Sequence, residues 1–425
     1  YINSHLKSIG VFMKRVILHS DMNACYASIE AKLNPKLKGI PMAVAGSPEN
    51  RHGIILAKSE EAKKMGVKTG EPIWQAKAKC PNLTLVPPHY EQYLKHSKMA
   101  RNLYYEYTNQ VEPFGLDECY LDVTGSTHLF GSGEEIANEI RKRMKEELGI
   151  SVSIGVSFCK IFAKLGSDMK KPDAVTIISE DNFKEKVWPL GVREMVGIGK
   201  ATENKLNKIG IFTLGDLAKA PVDILKNLLG VNGIYLWQYA NGLDIRPVVD
   251  RDHTEPIKSI GNSSTCKRDL NNNEEVFNVM QELSFSVSKR LREAKLEACG
   301  VEVYVRNNEL QSWNFSTSLE MASQSSIILV KSAMDIFKEK YKWSLPVRAI
   351  GIRAINLRNE GGGSQMDVFL NHEDFKKSED IDTTLYNIRK KYGKDSVTFA
   401  ALKRDIGLPS DLTEIVTLPS RHYNM

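Results

Sequence analysis

At 425 residues the chain exceeds what one ordinary hydrophobic core organises, so two to four domains are expected. Its 42% hydrophobic and 26% charged residues are those of a globular protein, and no apolar run approaches the roughly 18 residues of a membrane-spanning helix, so no membrane partner is expected. The formal charge of +6 admits a nucleic-acid partner without demanding one. Cys25, Cys80, Cys119, Cys159, Cys266 and Cys299 are scattered with no CxxC pair, which argues against zinc and fits a reducing, cytoplasmic setting.

Residues 1–12 lack a charged n-region leading into a long apolar stretch, so they do not read as a signal peptide, and Met13 reads as the start behind an upstream extension. From 16 to about 175, β-branched apolar runs alternate with amphipathic stretches. Strands are expected at 16–20, 41–45, 53–57, 83–86, 118–123, 151–156 and 175–178, and helices at 23–33, 60–65, 90–107, 133–148 and 160–169. Alternation of this kind means an α/β or α+β domain. Between 188 and 242 the strand signal gives way to short helices punctuated by Gly197, Gly199, Gly210, Gly230 and Gly233, and 245–253 is polar and irregular, as a linker would be. A second α+β segment follows, with strands near 258–266, 300–306, 312–317 and 348–357 and helices at 273–296 and 326–341. Glu360-Gly361-Gly362-Gly363-Ser364 is a flexible break, and the tail beyond it is expected to be poorly ordered apart from a helix at 381–391.

The first chemical signal is a set of acids at strand ends. Asp21 closes Val16-Ile17-Leu18-His19-Ser20-Asp21, and Asp117-Glu118 leads into Cys119-Tyr120-Leu121-Asp122. Such carboxylates are the oxygen donors that Mg²⁺ takes. A bare D…DE is usually three unrelated loop acids, but a pair set between apolar runs is costly to bury unless a cation compensates it. Gly197-Ile198-Gly199-Lys200 has the form of a hairpin between helices, whose backbone N–H groups can take a DNA phosphate without reading sequence, and Gly230-Val231-Asn232-Gly233 looks like a weaker copy. Lys164 and Lys171 lie seven apart before Pro172, which would put both on one helix face able to hold a triphosphate. Tyr26 sits on the helix after Asp21, where a tyrosine is ordinarily core. Gln365-Met366-Asp367-Val368-Phe369 is an apolar patch beyond the glycine break and reads as a docking peptide.

In order and spacing these segments resemble the Y-family DNA polymerases, in particular the DNA polymerase IV (DinB) branch, from about Met13 to Asn359. Ser153-Ile154-Gly155-Val156-Ser157 and Glu61-Ala62-Lys63-Lys64-Met65-Gly66-Val67 belong to the same pattern. The resemblance implies an α+β, multidomain right-hand polymerase. Its palm would be 13–24 and 89–178, ferredoxin-like, with small fingers at 25–88 and a helix-hairpin-helix thumb at 179–245. A linker at 246–257 would lead to an α+β little finger at 258–359 and a tail at 360–425. It implies template-directed, low-fidelity addition of dNTPs to a primer 3′-OH across lesions, without proofreading, by two-metal phosphoryl transfer.

By the same resemblance Asp21 and Asp117 bridge two Mg²⁺ ions, Glu118 completes the primer-side site, and the Met22 carbonyl serves the nucleotide-side ion. Tyr26 is the steric gate against a ribose 2′-OH, and Lys63, Lys164 and Lys171 lie near the triphosphate. Gly197, Gly199, Lys200, Arg348 and Arg353 contact primer-template DNA, and Gln365, Val368 and Phe369 dock on a sliding clamp. A monomer is the expected state. One region departs from the pattern: many members carry a Tyr and an Arg at the triphosphate where this chain has Glu60 and Lys63. Lys63 neutralises phosphate without the planar fork of Arg, and Glu60 is expected to face away or to leave part of the role to Lys58. The alternatives are a catalytically inactive DNA-binding accessory protein of the same fold and a nucleotide cyclase, which would leave thumb and little finger unexplained.

Overall fold

The computed structural model describes residues 14–47, 49, 51, 53–253, 255–362, 372–393 and 396–397. They fall into two compact units, one of residues 14–45 and 55–253, the other of 46–54 and the described residues from 255 onward.

The first unit runs β1 (Ile17–Met22), α1 (Cys25–Leu33), β2 (Met42–Ala45), β3 (Ile55–Lys58), α2 (Glu60–Lys64), α3 (Ile73–Lys79), β4 (Thr84–Val86) and α4 (Tyr90–Tyr104). It continues through β5 (Val111–Pro113), β6 (Glu118–Asp122), α5 (Thr127–Phe130), α6 (Gly133–Leu148), β7 (Val152–Ser157), α7 (Lys160–Met169) and β8 (Val175–Ile178). Five short helices close it: α8 (Phe183–Val187), α9 (Lys200–Asn207), α10 (Leu214–Lys219), α11 (Val222–Leu229) and α12 (Val231–Ala240).

The main sheet has the order β5-β6-β1-β7-β8. Because side chains alternate along a strand, this register sorts two faces. Leu18, Leu121 and Val156 form one row and join the core with α4 and α6. Ile17 and His19 of β1, Glu118 and Tyr120 of β6, and Gly155 of β7 share the other parity, as does Asp21. That face is covered by α7. A Cβ on Gly155 would stand 1.9 Å from the Ala163 carbonyl oxygen and 2.6 Å from the Ser167 nitrogen, so only glycine lets the helix lie this close to the strand.

A smaller sheet, β3-β2-β4, packs with α2 and α3 around Ala43, Ile55, Ala62, Ile73 and Ala76. In the helical segment, α11 and α12 meet at Gly230 (φ 68°) and cross where Gly233 faces the Leu225 carbonyl; a Cβ there would lie 2.1 Å from that oxygen. The stretch after α12 is irregular, as expected of a linker, yet its first part is strapped down. Asp244 accepts from the Ile161 N–H (3.1 Å) at the start of α7, Glu112 accepts from the Val249 N–H (2.9 Å), and Val248 is buried.

The second unit contains β9 (Ile260–Leu270), α13 (Asn273–Ala294), β10 (Leu296–Asn307), β11 (Ser312–Ser323), α14 (Ser326–Lys340), β12 (Val347–Asn359) and α15 (His372–Tyr392). Its antiparallel sheet has the order β11-β10-β12-β9, with α13 and α14 packed on one face over Val301, Val303, Ile350 and Ile352.

The expected elements are present with ends shifted by a few residues. Three were missed, α3, the four-residue helix α5 and the three-residue edge strand β5, all too short for a periodic signal. The largest correction is at the tail, where α15 is longer than the 381–391 expected and is docked rather than loose. Buried Asp382 accepts from the Ser325 and Ser326 hydroxyls (2.5 and 2.8 Å) and the Ile327 N–H (3.2 Å), satisfying the N-terminus of α14. Glu379 accepts from Ser323 and the Gln324 N–H and pairs with Arg292 at 3.2 Å. No helix among the described residues is long and apolar enough to cross a membrane.

Candidate active site

Three segments carry the acids to one place. In the β1–β6 register Asp21 is paired with Glu118, and the Met22 N–H donates to the Asp117 carbonyl at 3.0 Å, so the end of β1 and the turn before β6 are tied at the backbone. Asn23 fixes the next step: its N–H donates to the Ser151 carbonyl (2.9 Å), its amide nitrogen to Ser153 Oγ (3.0 Å), and its oxygen accepts from the Asp173 N–H (2.9 Å). Ala24 then takes a left-handed turn (φ 46°) into α1, the helix that carries Tyr26.

Two lysines face the acids from the α7 side. Lys164 Nζ lies 3.3 Å from Asp21 Oδ2, 3.1 Å from Glu118 Oε2 and 3.0 Å from Asp168 Oδ2. Lys171 Nζ lies 2.7 Å from Asp21 Oδ2 and 2.9 Å from Asp168 Oδ1. Their convergence is as expected, but the reason is different. The helix ends at Met169 and Lys170 is extended, and Pro172 disfavours helical conformation at Lys171. Lys171 therefore reaches Asp21 from the loop rather than from a shared helix face.

The electrostatics are strained in one direction. Burial pushes the Asp117 carboxyl up to about 6, helped by repulsion from Glu118 and Asp21. Burial also raises Asp21, against the pull of Lys164. Lys164 is held above the usual lysine range: burial opposes its charge, but Glu118, Asp21 and Asp168 outweigh that cost. His19, fully buried, is held well below its usual value by burial and then by Lys164, so the ring is neutral. Its Nδ1 is 2.9 Å from Ser167 Oγ, and its Nε2 lies 3.3 Å from Glu118 Oε2 without hydrogen-bond geometry. Glu118 Oε2 thus has ion-pair neighbours but no hydrogen bond.

As the side chains stand, with lysine ammoniums between the carboxylates, no group of three or more His, Cys, Asp or Glu among the described residues surrounds a common metal position. The donor set nevertheless suits hard divalent cations: three carboxylates meet, two have raised pKa values, and one buried carboxylate oxygen lacks a hydrogen bond.

Tyr26 lies at the edge of this centre, its ring stacked on Tyr93 at 4.1 Å and 10°. Burial, then Asp117, pushes its hydroxyl up to about 12. Lys63 stands apart from the acids on α2, exposed and paired with Glu60 one turn earlier at 3.5 Å, while Lys58 Nζ donates to Thr69 Oγ1 at 3.0 Å. In the helical segment Gly197 has φ 94°, and Gly199 caps α9, whose first residue Lys200 is exposed and 3.0 Å from Glu203. The element before this hairpin is a 3₁₀ turn, Val192–Glu194, rather than a full helix.

In the second unit Arg353 of β12 is exposed opposite Glu302 (3.4 Å). A register shift between Val347 and Ala349 keeps Val347 and Ile350 in the core and leaves Arg348 half-buried between them. Gln365, Val368 and Phe369 lie outside the described residues. Sequence reasoning missed Asp168, His19 and Asn23. Asp168 was within reach, since it stands four residues after Lys164 on one helix; the other two depend on pairings across the sheet.

The chain matches the impB/mucB/samB family over residues 20–168, that family's C-terminal domain over 257–368 and the IMS family HHH motif over 180–211. It is 48% identical over 396 residues to the DNA polymerase IV of Acetivibrio thermocellus, covering 93% of this chain and 99% of that protein. The chain belongs to the DNA polymerase IV branch of the Y-family. It is also 40% identical to DNA polymerase IV 1 of Bacillus subtilis, over 89% of this chain and 91% of that protein. A solved Y-family DNA polymerase chimera superposes with a TM-score of 0.73 at 24% identity, covering 81% of this chain and all of that one. The α+β multidomain class, with ferredoxin-like palm, small fingers, helix-hairpin-helix thumb and α+β little finger, is the family's, and the chain is a DNA-directed DNA polymerase of the translesion type. Polymerases of this family use divalent metal.

Proposed function

We propose that the polymerase adds dNTPs to a primer 3′-OH at the centre formed by Asp21, Asp117 and Glu118, with low fidelity and no proofreading. What supports this reading is the pairing of Asp21 with Glu118 across β1 and β6, beside the backbone tie from Met22 to Asp117. These carboxylates and the Met22 carbonyl would hold two Mg²⁺ ions, which when bound supply the lowered pKa of the 3′-OH and neutralise charge on the leaving pyrophosphate. The residues do the rest. Asp21 and Asp117 collect negative charge that the fold alone leaves undercompensated. Lys164 and Lys171, now on Asp21, are placed to turn toward the triphosphate when cations relieve them of the carboxylates. Tyr26 closes the sugar side, where a 2′-OH would clash.

The same reading assigns palm to 13–24 and 89–178, fingers to 25–88, thumb to 179–245, linker to 246–257 and little finger to 258–359. Gly197, Gly199 and Lys200 in the thumb and Arg348 and Arg353 in the little finger would take DNA backbone phosphates. Lys63 contributes charge to the triphosphate once it releases Glu60. Gln365, Val368 and Phe369 form the sliding-clamp peptide, and the protein works as a cytoplasmic monomer. The deciding experiment incubates the protein with Mg²⁺, primed template and dNTPs. Primer extension is expected; DNA binding without extension would mean the accessory protein, and cyclic nucleotide without extension the cyclase. For the clamp peptide the clean test is Phe369→Ala, which should remove stimulation by a clamp and leave basal synthesis unchanged. Deleting everything from Gly361 would also strip away the docked α15.

A further inference from the structure

Tyr26 is held by an arrangement that the chemistry above does not use. Its ring is stacked on the fully buried Tyr93 of α4, and Tyr90 meets it edge-on at 6.2 Å and 88°. Tyr90 and Tyr93 also pack edge to face at 5.8 Å, so the three rings form one closed cluster. Tyr93 is in turn fixed through its hydroxyl, which donates to Glu30 Oε1 at 2.5 Å. Glu30 is itself buried at 3% exposure, and the same oxygen is 2.9 Å from His89 Nδ1 at the start of α4. Glu30 stands four residues after Tyr26 on α1, one turn along the same face. A buried carboxylate in this position is costly unless its oxygens are matched, and it is matched by the partners that hold α4 against α1.

We propose that Glu30 and Tyr93 are positioning residues for sugar discrimination, with Glu30 fixing the Tyr93 ring and Tyr93 fixing the plane of Tyr26. This rests on Tyr26 being the steric gate. A gate excludes a 2′-OH only if its ring cannot rotate or retreat when the heavier sugar arrives, and a parallel, stacked neighbour 4.1 Å away, anchored at its far end by a hydrogen bond, removes both escapes. Neither Glu30 nor Tyr93 need touch the nucleotide. Their effect is on selectivity, in the direction of admitting ribonucleotides when they are lost.

The test is single-nucleotide insertion opposite a template T, comparing kcat/KM for dATP and ATP in the parent and in Tyr26→Ala, Tyr93→Leu, Tyr93→Phe, Glu30→Leu and Glu30→Gln. Tyr93→Leu is expected to raise ATP use relative to dATP by about three- to tenfold, the scale of a lost aromatic pair. Glu30→Leu and Tyr93→Phe should raise it less, and Glu30→Gln, which keeps an acceptor for the Tyr93 hydroxyl, should restore the parent ratio. A variant that merely folds poorly lowers both substrates and cannot produce a gain with ATP. If Tyr26→Ala admits ATP while Tyr93→Leu and Glu30→Leu leave the ratio unchanged, the positioning role is wrong. If Tyr26→Ala itself leaves the ratio unchanged, the steric-gate reading falls and takes this one with it.

Discussion

Two groups of buried acids in the first unit are handled in opposite ways. Around α7, Glu112 and Asp244 are fully matched. Glu112 accepts from Lys160 at 2.5 Å and from the Val249 N–H at 2.9 Å. Asp244 receives the Ile161 N–H on one oxygen and the Arg246 guanidinium on both, at 2.7 and 2.9 Å. At the end of the sheet below the same helix, burial raises the pKa values of Asp21 and Asp117, repulsion from Glu118 adds to both, and Glu118 Oε2 finds no hydrogen bond. A carboxylate taken from water must be compensated by donors or by charge. The first group is compensated by the protein and straps the chain after α12 to the sheet. The second is compensated only in part, which leaves it free to bind cations. One group serves stability, and the other gives up stability at the centre proposed to hold the cations.

The contrast can be broken by substitution. Asp117→Ala and Asp21→Ala should each lower primer extension about a thousandfold or more, while a fluorescence assay finds primer–template binding near the parent value. Binding lost in step with activity would remove these acids from catalysis. Glu112→Ala should do the reverse, costing about 3–5 kcal/mol of stability because it strands the Lys160 ammonium, read as a lowered melting temperature of the first unit. An unchanged melt would show that the strap holds nothing.

Deprotonation of Asp117 gives the comparison a pH dependence. The folded value of Asp117, about 6, lies above the 3.8 of a free aspartate. The folded protein therefore takes up a proton there that the unfolded chain does not hold until lower pH. The stability linked to this group is fully present below 3.8 and is lost as pH rises through about 6. In chelator at pH 8, Asp117→Asn should thus be more stable than the parent, by at most ~3 kcal/mol, and the gap should close as pH falls below about 6. A constant gap across that range would show that the charge is not what destabilises the site. The smallest effect is expected in the second unit. There Asp382→Asn should weaken α15 docking by ~1–3 kcal/mol, seen as faster amide exchange along 372–392 with unchanged basal synthesis.

Much of the site was legible before the fold. Asp21, Asp117 and Glu118 were marked by their place at strand ends, and Lys164 and Lys171 by their spacing. Charged residues next to apolar runs stand out in any sequence, and they met where the register of β1 and β6 placed them. Partners across the sheet and between helices were not legible. His19 was visible within a strand, but nothing in the sequence says that Ser167 and Glu118 face it. Nothing in the sequence marks Glu30 as buried, and its partner Tyr93 lies 63 positions later. The same is true of Asp382 in a tail that reads as polar and loose.

By itself the sequence determined the alternation of elements, the family and the identity of the acids, because these depend on local periodicity and on residue types at fixed spacing. The tertiary structure alone decided which carboxylates are matched and which are left wanting. That depends on donors supplied by distant segments, such as Val249 for Glu112 and Ser325 for Asp382, and on Gly155, whose missing side chain lets α7 bring Lys164 down onto the acids.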